Sequence, residues 1–361
     1  MNKRVFLFIL SSIFVFGLTG CKKEQNYTSE QIINSNYSSA TEKIEQYLIS
    51  NKFQGAVLVA KNHEVIFAKG YGPCDSKNKN SEQININSTF EVGSITKQMV
   101  AAAIMQQVQK GKISVTDKIS KYFPDYAHGD EITIQMLLTM RSGLLDMINS
   151  RNEFFPHSVI RQMEKDINAG RQIEEGLVLK YWYEAPLLTT PDTTYFYSNT
   201  NYYLLAKILE QVTGQSYYDY IQKNIFAKAN MQNSNLNFQQ TDTKGYDHKK
   251  RALSIPSELT FGCGDVNSSV VDLFKWNEAL ISGKIVSKKS YKQMIDTDSY
   301  GYGLNNQNGE IFHAGSTTGF NSYLSYYPKD KVTVIVLVNQ GIAAKNAAYA
   351  SRKLYSIIEE K

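Results

Sequence analysis

Ser94 and Lys97 have the residue types and the spacing of a nucleophile and its activating amine. A polar segment changes into a long, alanine-rich helical pattern at this point, so we expect a helix to begin at Ser94. Side chains three residues apart share one helix face, which would place the amine beside the hydroxyl. The partial positive charge at a helix N-terminus would also favour an alkoxide or an oxyanion there. Because such pairs are common by chance, other residues must support the assignment.

A tyrosine and an asparagine further along the chain could complete this chemistry. Tyr197 and Asn199 are two residues apart in a segment that we expect to be extended, so both could face one cleft. A phenol can carry protons when a nearby cation favours its ionised form, and Lys97 could supply that charge. Asn199 could hydrogen-bond a substrate amide and Lys97 without titrating. The alternative is an ordinary packing role, since the chain has 24 tyrosines.

The third candidate lies at the end of a predicted strand and contains His313, Gly315 and Ser316. Gly315 would allow a substrate to lie against the backbone as an added strand. The backbone amide of Ser316, together with that of Ser94, could form an oxyanion hole. Without further context, a strand end with a surface histidine would explain the same residues.

Strands at both ends of the chain and helices between them must position these residues. Apolar runs predict strands at 55–60, 65–68, 309–313, 322–327 and 332–338, and helical patterns at 132–138, 159–182, 201–212, 217–226, 272–280 and 346–360. We therefore predict an α+β fold in which N- and C-terminal strands share one antiparallel sheet flanked by helices. A helix-rich lobe at about 112–252 would be inserted, with the cleft between lobe and sheet.

The N-terminal segment has the features of a bacterial lipoprotein signal. Residues 1–20 contain two basic residues, a short apolar run and a lipobox-like sequence before Cys21. The run is too short for a membrane-spanning helix. We expect cleavage before Cys21 and lipid attachment to its sulfur, which would anchor the exported protein to a membrane of the cell envelope. Residues 21–38 would be a polar tether and 39–361 the folded domain, whose first helix would start with a capping box at 39–42. An ordinary signal peptide or an uncleaved anchor is the alternative.

Composition excludes several other classes of function. The net charge is only +5, from 39 basic and 34 acidic side chains, which does not indicate nucleic-acid binding. Five scattered histidines lack the spacing of a metal site, and we expect neither a metal nor another cofactor. A Gly-x-Ser-x-Gly elbow, which an α/β-hydrolase would need, is missing.

Cys74 and Cys263 could pair after export, although we favour two free thiols. We expect a monomer.

The order of the three motifs, together with their flanking residues, indicates a family. Ser94-Ile95-Thr96-Lys97, Tyr197-Ser198-Asn199 and His313-Ala314-Gly315 occur in that order. The stretches 137–144 (apart from Met140 and Arg141), 197–214, 262–280 and 319–320 extend the match. Over roughly residues 41–361 the chain resembles the class C β-lactamase-related serine hydrolases. This superfamily contains penicillin-binding proteins, β-lactamases and certain esterases, and Ser-x-x-Lys is one of its signatures.

The resemblance implies catalysis through an acyl-enzyme. Ser94 would attack a carbonyl while Lys97 and Tyr197 share its proton, and which of the two is the general base stays open. The amides of Ser94 and Ser316 would stabilise the tetrahedral intermediate, and Asn199 would contact the substrate together with His313, Gly315 and Ser316. The substrate would be a β-lactam, a D-amino-acid peptide of the peptidoglycan type or an ester.

Two departures from the family pattern limit this interpretation. Many true β-lactamases have a lysine at the first position of the third motif, where a permanent cation helps to hold the substrate carboxylate, whereas this chain has His313. Peptidase-like or esterase-like relatives are therefore favoured over efficient penicillin hydrolysis. Met140 and Arg141 replace a frequent His-Thr pair, so we assign no catalysis there. A lipid-anchored binding protein without turnover is the rival, but it would not need Ser94, Lys97 and Tyr197 together.

Overall fold

Strands from both ends of the chain form one seven-stranded antiparallel sheet, in the order β1-β3-β2-β11-β10-β9-β8. The computed structural model describes Tyr27 and residues 30–236, 240–247, 250–252, 255–340 and 347–360. The strands are β1 (Ile32–Ile33), β2 (Gly55–Lys61), β3 (Glu64–Tyr71), β4 (Phe90–Glu91), β5 (Tyr246–Asp247), β6 (Lys250–Arg251), β7 (Asn267–Ser268), β8 (Asn305–Gln307), β9 (Glu310–Thr317), β10 (Phe320–Tyr327) and β11 (Val332–Val338). Strands β4 and β7 pair separately, as do β5 and β6.

Helices flank the sheet and occupy much of the chain between its N-terminal and C-terminal strands. They are α1 (Ser38–Ser50), α2 (Thr96–Gln109), α3 (Ile134–Leu138), α4 (Arg151–Phe154), α5 (His157–Asn168), α6 (Leu177–Trp182), α7 (Asn199–Thr213), α8 (Tyr217–Ile221), α9 (Ala227–Ala229), α10 (Ser257–Thr260), α11 (Val270–Ser282), α12 (Lys288–Ile295) and α13 (Ala347–Glu359). Short 3₁₀ turns cover Ser35–Tyr37, Gly93–Ile95 and Ile119–Lys121, and a π-helical turn covers Gln222–Phe226. The predicted helix-rich lobe at 112–252 contains α3 to α9.

The pairing of β2 with β11 joins the two ends of the chain. Val59 lies opposite Val334 in this antiparallel ladder, and the predicted sharing of one sheet by N- and C-terminal strands is confirmed. The strands predicted at 55–60 and 65–68 are also confirmed, as β2 and β3, and they pair as a hairpin. Its two central turn residues, Asn62 and His63, have φ values of 51° and 68°, as a tight hairpin turn requires.

Alternation along the central strands gives the sheet two apolar faces. Val57 and Val59 of β2 pack with α1 and α13 in a smaller core, whereas Leu58 belongs to the main core on the other face. The main core is large because almost every residue of α2, from Thr96 to Gln107, is buried. An alanine-rich sequence suits this central position, since small side chains let neighbouring helices approach α2 from several sides.

The folded part begins earlier in the chain than we predicted. The end of the predicted tether, 21–38, forms β1 at the edge of the sheet and a 3₁₀ turn. Helix α1 starts at Ser38, with no side-chain cap, whereas Asn34 caps the preceding turn by accepting from the Asn36 amide at 2.9 Å. The capping box predicted at 39–42 was therefore wrong. No helix among the described residues is long and apolar enough to cross a membrane. The predicted signal, 1–20, and Cys21 lie outside those residues.

Two glycines allow β9 to lie against the turn that carries Ser94. Gly93 has a φ of 52°, and a Cβ there would lie 2.9 Å from the Ser316 nitrogen. A Cβ on Gly315 would lie 2.0 Å from the carbonyl oxygen of Val92 and 2.3 Å from the Ser322 hydroxyl, which itself donates to that carbonyl at 2.7 Å. Strand β9 can therefore lie close to the turn that carries Ser94 because neither Gly93 nor Gly315 has a side chain at the point of contact.

We expect Gly315→Ala to reduce the free energy of unfolding by about 1–3 kcal/mol, because its methyl group would overlap backbone atoms that the sheet holds in place. Urea denaturation of the purified domain measures this change. Gly264→Ala is the matched control, since a Cβ there would make only an ordinary contact, at 3.7 Å from Gly93. Equal stability of the Gly315 variant and the wild type would contradict the close approach.

Candidate active site

Ser94 lies at the mouth of a cavity, at the start of the central buried helix. The 3₁₀ turn Gly93–Ile95 leads directly into α2, so the helical start predicted at this point is confirmed. The Ser94 side chain is half-buried and lines a cavity of about 540 Å³. A serine here can contact a ligand while its backbone is held rigidly by the core.

Lys97 is completely buried and makes three hydrogen bonds with its amine. Nζ lies 2.9 Å from Ser94 Oγ, 2.8 Å from Asn199 Oδ1 and 2.6 Å from the carbonyl oxygen of Cys263. The predicted contact between Lys97 and Ser94 is thus confirmed. The three partners come from three separate segments, because Asn199 begins α7 and Cys263 follows α10.

These three bonds suit both protonation states of the amine. The Asn199 and Cys263 oxygens can only accept, whereas the Ser94 hydroxyl can donate or accept. A neutral amine would donate to the two carbonyl oxygens and direct its lone pair at the Ser94 proton. An ammonium would donate to all three. A proton could therefore move from Ser94 to Lys97 without rearrangement of the surrounding atoms.

Tyr197 and Asn199 both line the cavity, as their spacing predicted. Ser198 between them is extended and precedes α7, which begins two residues before the predicted start. The Tyr197 ring centroid is 5.1 Å from Lys97 Nζ, within the distance of a cation–π contact. The hydrogen bond to Ser94 Oγ thus comes from Lys97, while Tyr197 contacts Lys97 through its ring.

His313 lies behind the cavity wall and does not line it. It is 3% exposed, with Nδ1 2.6 Å from the carbonyl oxygen of Ala314 and Nε2 3.0 Å from the Tyr300 hydroxyl. Since a carbonyl can only accept, Nδ1 carries the proton and Nε2 accepts from Tyr300. Burial, reinforced by the nearby charge of Lys97, lowers the pKa of His313 to about 3. The predicted contact with substrate is thus replaced by a contact with Tyr300 and with the Tyr197 ring, 6.4 Å away between centroids.

The other two predicted residues of the third motif do line the cavity. Gly315 and Ser316 follow one another on β9, and the Ser316 nitrogen is close to Gly93, as described above. The backbone of β9 is therefore beside Ser94, where an oxyanion hole would need it. All cavity-lining side chains in the described ranges are uncharged, and nowhere in those ranges do three potential metal ligands cluster. The pair Met140 and Arg141 does not line this cavity.

Two parts of the site were not predicted from the sequence. One is the loop after α10, whose Cys263 carbonyl binds Lys97. Cys263 and Cys74 are both buried free thiols, as favoured, and burial raises the pKa of the Cys263 thiol to about 12. The other is Asp146, a buried carboxylate that accepts from the Asn199 side-chain amide. The only signal for Asp146 was its place just after the matching stretch 137–144.

A second carboxyl group adjoins the site from the same loop. Asp265 accepts hydrogen bonds from the Gly262 amide at 3.1 Å and from the Tyr217 hydroxyl at 3.0 Å. Burial nevertheless raises its pKa to about 7. Between pH 4 and pH 7 Asp265 of the folded protein therefore holds a proton that an unfolded aspartate has already lost, so the contribution of this group to stability falls as the pH rises through this window.

We expect Asp265→Asn to remove this pH dependence. Relative to Asp265→Asn, the wild type should lose unfolding free energy from about pH 4 to about pH 7, because its unfolded state binds fewer protons at Asp265 over that range. The lowered pKa of His313 contributes a slope of opposite sign that both proteins share. Urea denaturation at intervals of half a pH unit measures the slope. Asp298→Asn, at an exposed aspartate, is the control and should keep the wild-type slope. If the Asp265 variant also kept it, another group would be responsible.

Comparisons with known proteins agree with this geometry. The family model described as Beta-lactamase matches residues 40–356. The putative penicillin-binding protein PbpX of Bacillus subtilis is 29% identical over 354 residues, covering 94% of this chain and 83% of PbpX. The structures of FmtA from Staphylococcus aureus (TM-score 0.76, 21% identity, 93% of each chain) and of D-amino acid amidase from Ochrobactrum anthropi (TM-score 0.74, 20% identity, 90% and 99%) share the fold. The predicted β-lactamase/transpeptidase-like fold is thereby confirmed. The chain belongs to the Beta-lactamase family.

Proposed function

We propose that this protein is a serine hydrolase that forms an acyl-enzyme at Ser94. The observation that carries the proposal is the environment of Lys97. Two of its three hydrogen-bond partners, the Asn199 and Cys263 oxygens, can only accept, and the third partner is the Ser94 hydroxyl. An amine held in this way is poised to take up the serine proton. A protein that only bound its ligand would not need a buried amine at the nucleophile.

The reaction would proceed in two steps. Ser94 Oγ would form a bond to the substrate carbonyl carbon while its proton passes to Lys97, directly or with the help of Tyr197. The backbone amides of Ser94 and Ser316 would stabilise the oxyanion. Collapse of the intermediate would break the bond to the leaving group, which would receive the proton. Water would then cleave the Ser94 ester by the same route.

We propose an ester, or a D-amino-acid peptide without a free carboxylate beside the reacting bond, as the substrate, in preference to a penicillin. The uncharged lining of the described cavity and the neutral, buried His313 support this choice, because neither provides a cation for a substrate carboxylate. Relatives are named as penicillin-binding proteins, and a D-amino acid amidase shares the fold. Asn199, Gly315 and Ser316 would contact the substrate.

We expect Ser94 to be acylated by a fluorescent penicillin or by a fluorophosphonate. Ser94→Ala should abolish labelling, and Lys97→Ala and Tyr197→Phe should each slow it by about 100-fold or more, because loss of the proton acceptor removes general base catalysis. Gel fluorescence of the purified domain over time measures the rate. Circular dichroism of each variant checks that it is folded.

Equal labelling of Ser94→Ala and the wild type would refute the assignment of the nucleophile. The substrate class is tested by hydrolysis of a nitrocefin-type β-lactam, a D-Ala-D-Ala peptide with an amidated C-terminus and a short-chain p-nitrophenyl ester. We expect turnover of the peptide or the ester to exceed that of the β-lactam. Fastest turnover of the β-lactam would contradict our choice of substrate, and no labelling at all would favour the non-catalytic rival.

We also propose that the protein is exported and anchored through a lipid on Cys21, on the basis of the N-terminal sequence. Expression in a bacterial host should give a product that partitions into the detergent phase of Triton X-114, because acyl chains supply the apolar surface. The Cys21→Ser variant should move to the aqueous phase. Mass spectrometry of the N-terminal peptide should find the lipid on Cys21. An unmodified Cys21 in a membrane-bound product would indicate an uncleaved anchor instead.

A further inference from the structure

Asp146 is a buried carboxylate whose position relative to the active site suggests a specific role. It is 1% exposed and accepts backbone hydrogen bonds from Ile148 at 2.8 Å and from Asn149 at 3.2 Å. The Asn149 side chain donates to it at 2.7 Å. The Asn199 amide donates to both of its oxygens, at 3.2 and 3.0 Å. No cationic side chain forms an ion pair with it in the part of the chain that the structure describes.

These contacts determine the orientation of the Asn199 side chain. Its Nδ2 can only donate and faces two acceptor oxygens of Asp146, while its Oδ1 can only accept and faces Lys97 Nζ at 2.8 Å. A flipped amide would direct its NH₂ group at the amine and its carbonyl at the carboxylate, and both bonds would be lost. Asp146 therefore allows a single orientation of Asn199.

The same contacts connect two buried charged groups. A buried carboxylate without an ion-pair partner is unfavourable, because it has left water for a medium of low polarity. Through the Asn199 amide, the Asp146 carboxylate is connected to the amine of Lys97. The amide dipole has its positive end towards the carboxylate and its negative end towards the amine, so that each hydrogen bond strengthens the other.

We propose that Asp146 is a positioning residue for the proton transfer from Ser94 to Lys97. By fixing Asn199 and supplying a negative charge behind it, Asp146 holds the amine in place and favours the ammonium that forms when Lys97 accepts the proton. The inference rests on the proposed acyl-enzyme function. Asp146 itself does not line the cavity, so it acts on the reaction through Asn199 and not on the substrate.

The test is Asp146→Asn, which preserves the size of the side chain but removes the charge and one acceptor. The rate of acylation by a p-nitrophenyl ester, followed in a stopped-flow instrument at several ester concentrations, gives the dissociation constant and the acylation rate constant separately. We expect the rate constant to fall about 10–100-fold, since small displacements of catalytic groups have effects of this size. The dissociation constant should stay within twofold of the wild-type value. A purely structural role would instead reduce the burst amplitude, which counts active molecules.

Asn149→Ala is the matched control. Asn149 also donates to Asp146, but it lines the cavity and has no contact with Lys97. We expect this variant to change the dissociation constant while the acylation rate constant stays within threefold of that of the wild type. An unchanged rate constant in Asp146→Asn, or an equal loss in both variants, would overturn the inference.

A second measurement does not depend on the reaction. In nuclear magnetic resonance spectra of the wild type, the side-chain NH₂ protons of Asn199, assigned with the Asn199→Ala variant, should exchange slowly with solvent, and in Asp146→Asn they should exchange faster. Rapid exchange in the wild type would overturn the inference even if Ser94 is acylated. Protected protons in a wild type that no acyl donor labels would instead refute the proposed function and leave the positioning of Asn199 intact.

Discussion

The burial of Lys97 is the constraint on which the site depends. An amine can be placed in the interior of a protein only if its hydrogen-bonding capacity is satisfied there, because water no longer does so. Here the three partners belong to the 3₁₀ turn that precedes the helix of Lys97, to the first residue of α7 and to the loop after α10. Asn199 and Cys263 are 102 and 166 positions away from Lys97 in sequence, so the amine is satisfied only when the central helix, α7 and the loop after α10 have assembled. The environment of the nucleophile therefore forms only when these distant segments of the chain have folded together.

A second constraint sets how closely the sheet approaches the nucleophile. Strand β9 must present its backbone, and not its side chains, to the turn that bears Ser94. Gly93 and Gly315 make this possible from the two sides, and the Ser322 hydroxyl fixes the carbonyl of Val92 between them. Strand β9 thus contributes backbone to the cavity beside Ser94, whereas the helical lobe contributes side chains, among them Asn149, Tyr197 and Asn199. The reacting atoms of a substrate would lie where the two meet.

The sheet and the main helices could be predicted from sequence because apolar alternation and helical periodicity are local signals. The start of the folded domain could not, since β1 is only two residues long and is stabilised by pairing with β3 rather than by its own pattern. Short spacings in the sequence identified four site residues, Ser94 with Lys97 and Tyr197 with Asn199. The members of each pair also lie together in the folded protein. Asp146 was not identified, because it is 53 residues away from Asn199 and only tertiary packing brings the two together. His313 was assigned to the substrate because it begins the third motif. Yet its ring shares the inward face of β9 with Gly315, and there it hydrogen-bonds Tyr300.

The arrangement distinguishes the groups that would move protons from the surface that would recognise a substrate. The former are hydrogen-bonded in a row from Ser94 through Lys97 and Asn199 to Asp146, and its two ionisable members, Lys97 and Asp146, are fully buried. The latter is the described cavity wall, which is uncharged and open to solvent. Under the proposed function, changes in the wall would alter the choice of acyl group without disturbing the buried amine, since no described side chain of the wall other than Ser94 and Asn199 hydrogen-bonds Lys97. The neutral His313 lies behind this wall, where it hydrogen-bonds Tyr300 and its ring faces that of Tyr197, so the wall itself stays uncharged.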